Sequence, residues 1–153
     1  MIRFETSIVI DRPSEDVFRF VADSRNNALW NSAVVDVTRI SDERERVGSK
    51  YLMRRNLTKG PAKNIYEIIE YDPNSKFSIK TISGPTPFVY RYSFEPKDRG
   101  TKLELSAEAE TRGLIEELGS ASRLLPDWIL ARLVKRGVDA NLRTLKDLLE
   151  RRS

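Results

Sequence analysis

Alternation of apolar and polar positions runs through most of the first two thirds of the chain. It is cleanest over 101–111, where Leu103, Leu105, Ala107 and Ala109 alternate with Lys102, Glu104, Ser106, Glu108 and Glu110. A period of two places each set on its own face of a strand. One face is dry and the other wet, the pattern of an antiparallel sheet covered on one side. The same period predicts strands over 2–11, 34–40, 48–57, 62–71, 76–83 and 87–95. In the last of these, Phe88, Tyr90, Tyr92 and Phe94 share a face opposite Val89, Arg91, Ser93 and Glu95. Over 48–57, Tyr51, Met53, Arg55 and Leu57 share a parity. Over 62–71, Tyr66 shares one with Asn64 and Ile68. Lys59-Gly60-Pro61, Asp72-Pro73-Asn74-Ser75, Gly84-Pro85 and Pro96 to Gly100 punctuate the strands as turns.

Helical spacing appears in three places. Pro13 opens a short helix, with Glu15 and Asp16 at its electropositive end and Val17, Phe18 and Val21 as its apolar stripe. A second short helix is predicted over 25–31, ending on Leu29 and Trp30. Residues 41–46 form a charged turn. After Gly113 the period of two is lost, and 114–119 reads as loop or a short helical turn. A long helix is predicted over 126–150, with Leu130, Val134, Val138, Leu142, Leu145 and Leu149 on one side.

The order is therefore one strand, two short helices, six strands and one long helix. Short turns make the later strands an antiparallel meander. The dry face of the sheet and the dry stripe of the helix must cover each other. This predicts an α+β architecture in one domain, 1–153: a curved seven-stranded antiparallel sheet wrapped around the C-terminal helix, with space left between them. Gly137, on the helix stripe, reads either as a close helix–sheet contact or as a pocket wall making room. Asn141, beside Leu142, reads either as a satisfied polar residue or as a hydrogen-bonding group in the pocket.

Composition narrows the chemistry. Hydrophobic residues are 39% of the chain and charged residues 33%, the balance of a globular protein rather than a disordered one. No apolar run reaches membrane-spanning length, and the N-terminus reads straight into strand, so the expected location is cytoplasmic. Cysteine and histidine are both absent. Disulfides, thiol catalysis, histidine-based triads and ordinary zinc sites are excluded, and no metal or cofactor is expected. The net charge is +4, and seven of the 27 basic residues lie between Arg132 and Arg152. That cluster reads as the solvated back of the last helix or as a surface for an anionic partner.

Several segments resemble the polyketide cyclase/dehydrase branch of the START-like (Bet v 1-type, SRPBCC) superfamily. They are Pro13-Ser14-Glu15-Asp16-Val17-Phe18, Trp30, Val47-Gly48-Ser49-Lys50-Tyr51 and Tyr66-Glu67-Ile68-Ile69-Glu70-Tyr71-Asp72-Pro73. Arg91-Tyr92-Ser93-Phe94-Glu95-Pro96 and Gly100-Thr101-Lys102-Leu103 complete the set. The resemblance spans nearly the whole chain and rests on turns and core positions. It implies a helix-grip fold with a cavity for lipids, polyketides, quinones or similar apolar molecules.

The residues expected around such a cavity are Trp30, Tyr51, Met53, Arg55, Tyr66, Phe88, Tyr90, Tyr92, Val134, Gly137 and Asn141. Each also has a plainer reading as core, plug or strand end; Arg55 in particular reads as snorkelling to water near the end of its strand. Two functions stay open. One is a binder or carrier of a small hydrophobic ligand. The other is a cyclase- or dehydratase-like enzyme in which tyrosine and arginine steady an enolate. The expected partner is a small apolar molecule rather than nucleic acid. The basic helix also admits peripheral contact with an anionic membrane, and the oligomeric state is open between monomer and homodimer.

Overall fold

The structure, a computed structural model, describes residues 1–41 and 45–151; side chains at 115–117 fall outside the description. Of the charged turn expected at 41–46, residues 42–44 therefore lie outside it.

The chain begins with strand β1 (Ile2–Ile10), helix α1 (Ser14–Ala22), a 3-10 turn at Ser24–Asn26 and helix α2 (Asn27–Trp30). Strands β2 (Val34–Arg39), β3 (Lys50–Leu57), β4 (Gly60–Asp72), β5 (Lys76–Ser83), β6 (Phe88–Lys97) and β7 (Gly100–Ala109) follow. Helix α3 (Thr111–Leu118), a 3-10 turn at Ser120–Leu124 and the long helix α4 (Asp127–Glu150) complete the chain. The seven strands form one antiparallel sheet in the order β1-β7-β6-β5-β4-β3-β2. This is a helix-grip fold: the meander curves, and α4 lies in its concave side with the core between them.

The alternation read from the sequence sets the faces. Leu103, Leu105, Ala107 and Ala109 of β7 are buried, while the intervening Lys102, Glu104, Ser106 and Glu108 are half-buried. Tyr51, Met53 and Arg55 of β3 face inward with Asn64, Tyr66 and Ile68 of β4. Register shifts at Ile65/Tyr66 and Ile68/Glu70 interrupt the β4–β5 ladder and bend the sheet there.

Two expectations are corrected and one open reading is settled. The strand over 48–57 ends at Leu57 as expected, but Lys59-Gly60-Pro61 is not all turn: Leu57 pairs with Gly60, so β4 begins at Gly60 and not at 62, and the φ of +128° at Gly60 suits glycine at a tight turn. The second helix is not continuous over 25–31, because the 3-10 turn occupies its first part. Of the two readings of the segment after Gly113, loop or short helical turn, the helical one holds: it is the end of a two-turn helix. Gly113 looks like a breaker in the sequence, yet it sits inside α3 for lack of space. A Cβ there would lie 2.3 Å from the Thr86 Cα, so glycine lets the helix dock on the β5–β6 loop. The Thr86 hydroxyl donates to the Gly113 carbonyl at 3.0 Å across that contact.

Helix α4 is held to β1 by polar ties at several levels. Thr6 donates to Asp139, the Lys146 ammonium donates to the Val9 carbonyl at 2.6 Å, and the Asp11 amide donates to Glu150 at 2.9 Å. Arg12 donates to the Leu149 carbonyl at 2.9 Å.

Candidate functional site

The stripe of α4 is not evenly buried. Leu130 near its start and Leu142, Leu145 and Leu149 near its end are buried, whereas Val134 and Val138 in the middle are only half-buried. A cavity of about 260 Å³ opens there, lined by the middle of α4, the inner face of the sheet, α2 and α3.

Nine of the eleven residues expected from the sequence line this cavity: Trp30, Met53, Arg55, Phe88, Tyr90, Tyr92, Val134, Gly137 and Asn141. Tyr51 and Tyr66 line a smaller, more enclosed chamber behind it, of about 10 Å³, with ring centroids 5.2 Å apart in a stacked pair. Trp30, Asn27, Ile79 and Tyr92 line both spaces, a shared stretch of wall that serves as the neck of the site. Trp30 is buried and meets Tyr92 edge-on, with centroids 6.5 Å apart.

The open readings of single residues now separate. Gly137 makes no close helix–sheet contact, since a Cβ added there would meet nothing within 4 Å. It enlarges the cavity at the cost of a glycine inside a helix. Asn141 lines the cavity, but its amide is engaged with the segment after α2. Its oxygen accepts from the Ser32 amide at 3.3 Å, and its nitrogen donates to Asn31 at 3.4 Å. Arg55 does not snorkel. It is 6% exposed, donates from Nε to the Asn64 oxygen at 3.0 Å and from its terminus to the Pro85 carbonyl at 3.3 Å. Asn64 also donates to Pro85, at 2.5 Å. Arg55 and Asn64 thus pin the β5–β6 loop over one end of the cavity.

Beside the Arg55 guanidinium, the walls carry neutral amides and hydroxyls. Burial pushes Tyr66 and Tyr92 well above the ordinary tyrosine range, and neighbouring tyrosines add to the effect. Tyr51 is raised first by burial and then by the nearby Glu45 carboxylate. Groups shifted this way donate hydrogen bonds and hold their protons; they are not general bases at neutral pH. A larger hollow, about 530 Å³, lies on the outer face of the sheet. Its walls include Glu5, Glu70, Lys76, Arg91 and Glu104, charges of both signs on the wet side of the strands. It lacks the apolar lining and enclosure of a ligand site.

Sequence reasoning missed several wall residues. Leu105 and Ala109 were available from the parity of β7, and Val138 from the α4 stripe. Leu114 lies in a segment that reads equally as loop or as a short helical turn, so its direction was not legible. Asn27 carried no readable signal, because α2 is too short to show a period.

The family described as polyketide cyclase / dehydrase and lipid transport matches residues 1–150. No curated protein matches the chain. Among solved structures, TTHA0849 from Thermus thermophilus superposes with a TM-score of 0.77 at 18% identity, covering 99% of each chain. A START superfamily protein from Mycobacterium smegmatis gives 0.75 at 11% identity, again covering 99% of each. The Zhui aromatase/cyclase from Streptomyces sp. R1128 gives 0.74 at 15% identity, covering 98% of this chain and 94% of that one.

Proposed function

The chain belongs to the polyketide cyclase/dehydrase and lipid transport family, and from that premise we propose that it binds a small, neutral, hydrophobic molecule in the cavity under α4. The observation that carries this reading is the cavity itself, about 260 Å³ between the middle of the gripped helix and the aromatic inner face of the sheet. An apolar cavity of about 150 Å³ is large enough to take up benzene, so this one suits a guest of about two fused rings or an equivalent chain. Tyr92 in its wall and Tyr66 in the smaller chamber are raised by burial and hold their protons, which supports binding and orientation rather than base catalysis. The structural neighbour named as an aromatase/cyclase has a similar scaffold. Its activity is not carried over to this chain.

Native mass spectrometry of protein isolated from its own host should show a bound small molecule, and a library of neutral hydrophobic compounds should raise its melting temperature. A protein that is consistently empty and unresponsive to the library overturns the proposal.

The mouth favours a second reading alongside the first. Leu118 and Leu133 line the cavity and are exposed, and Leu124 and Trp128 nearby are 86% and 63% exposed. The Arg132 guanidinium sits 5.8 Å from the centre of the Trp128 ring. Exposed apolar side chains beside arginines suit brief contact with an anionic bilayer during loading. Vesicles containing phosphatidylserine should bind the protein more weakly as salt rises and lose it in Trp128→Ala. Binding that is insensitive to both changes rules the contact out.

A further inference from the structure

Buried polar atoms in folded proteins almost always have a partner. Among the described residues, Trp30 Nε1, Asn27 Oδ1 and Tyr51 Oη do not. Tyr51 lies under the influence of Glu45 and Ser49 and is set aside for that reason. Trp30 and Asn27 are different. They stand one helical turn apart on α2, and both line the cavity and the chamber behind it. Trp30 is 6% exposed, so its indole N–H is a donor removed from bulk water.

The two orphans have opposite needs. The indole N–H seeks an acceptor, and the amide oxygen seeks a donor. A hydroxyl supplies both from one atom. A carbonyl or ether supplies only the acceptor, and a carboxylate brings a charge into a region walled by Tyr51, Tyr66, Phe77, Ile79 and Tyr92. The space of about 10 Å³ is close to that of one water-sized group and excludes anything bulkier at this end. Resting on the cavity reading above, we propose that the neck reads a single hydroxyl. The ligand is an alcohol or phenol whose apolar body fills the larger cavity while its O–H accepts from Trp30 Nε1 and donates to Asn27 Oδ1. A group that satisfies both atoms removes the penalty of leaving them buried and unpaired. An analogue that cannot do so inherits it.

The test is calorimetric, on the full chain, with three probes of similar body: naphthol, its methyl ether and fluoronaphthalene. The ether accepts but cannot donate, and the fluorinated compound is close in size to naphthol and does neither well. Naphthol should bind the wild-type protein about 10-fold or more tightly than either analogue, the loss expected when a designed-for hydroxyl is missing or masked. In Trp30→Phe and Asn27→Leu the three affinities should converge to within about twofold of one another, whatever the change in wall shape does to all three. If all three probes bind the wild type equally, the neck reads no hydroxyl and this inference falls, while the cavity reading stands. Equal binding of naphthol and the ether alone overturns the donor role of the ligand. If none of the three binds, the cavity reading fails and takes this inference with it. The wild-type comparison decides the matter even if a variant does not fold.

Discussion

At the scale of single residues, Gly137 states most clearly what the molecule has traded. Its place in the middle of α4 costs about 1 kcal/mol relative to alanine, and the space beside it holds no neighbour that would forbid a methyl group. Gly137→Ala should therefore raise stability by about 0.5–1 kcal/mol, measured by urea unfolding. Gly137→Phe should fold and fill the cavity, and the melting-temperature response to hydrophobic compounds should vanish. The buried tyrosines make a second prediction. Tyr66 and Tyr92 hold their protons more tightly folded than unfolded, where they titrate near 10.0. Above that pH the unfolded chain sheds protons that the folded chain keeps, so stability is full below pH 10 and falls as pH rises beyond it. Melting temperatures followed upward from neutral pH should turn down near pH 10, and Tyr92→Phe should make that decline shallower.

Elements, rather than residues, decide how the cavity is closed. Helix α3 reaches its place only because Gly113 lets the Thr86 backbone come close. Gly113→Ala should force the helix away from the β5–β6 loop and cost about 1–3 kcal/mol, the usual penalty of overpacking. It should also speed ligand exchange in stopped-flow measurements, since α3 contributes Leu114 and Leu118 to the wall. This is also where legibility from the sequence ended. Strands β1, β6 and β7 announced themselves through strict alternation, and α4 through its leucines. Most of the candidate wall followed from those parities. Gly113 left its segment open because glycine signals either a break or a close approach, and only the position of Thr86 distinguishes them. The inward burial of Arg55 was a matter of parity, but its partners Asn64 and Pro85 come from a neighbouring strand and a distant loop, beyond the reach of local spacing.

For the whole molecule, the grip depends on how α4 is fastened to the edge strand. Two carboxylates take part. Burial works to raise Asp139, but hydrogen bonds from Thr6 and Lys135 outweigh it and hold its pKa below the usual range. Glu150 is lowered chiefly by Lys146, with help from the Asp11 amide. Their contribution is present above the ordinary carboxylate range and lost as pH falls through it. Acid should thus loosen α4, with stability declining below about pH 4. Protection of the α4 amides against hydrogen exchange, relative to the intrinsic rate at each pH, should fall over the same interval, and Asp139→Asn should flatten the acid limb of the stability profile. An acid limb unchanged in Asp139→Asn would show that the fastening lies elsewhere.

The chain holds two tryptophans in opposite surroundings: Trp30 at the neck, 6% exposed, and Trp128 on the outer turn of α4, 63% exposed. A water-borne quencher such as iodide reaches the second and not the first. Emission that survives quenching therefore comes from the neck alone, and its colour and intensity report what stands beside the indole. The protein carries its own fluorescent gauge of occupancy, with no label required.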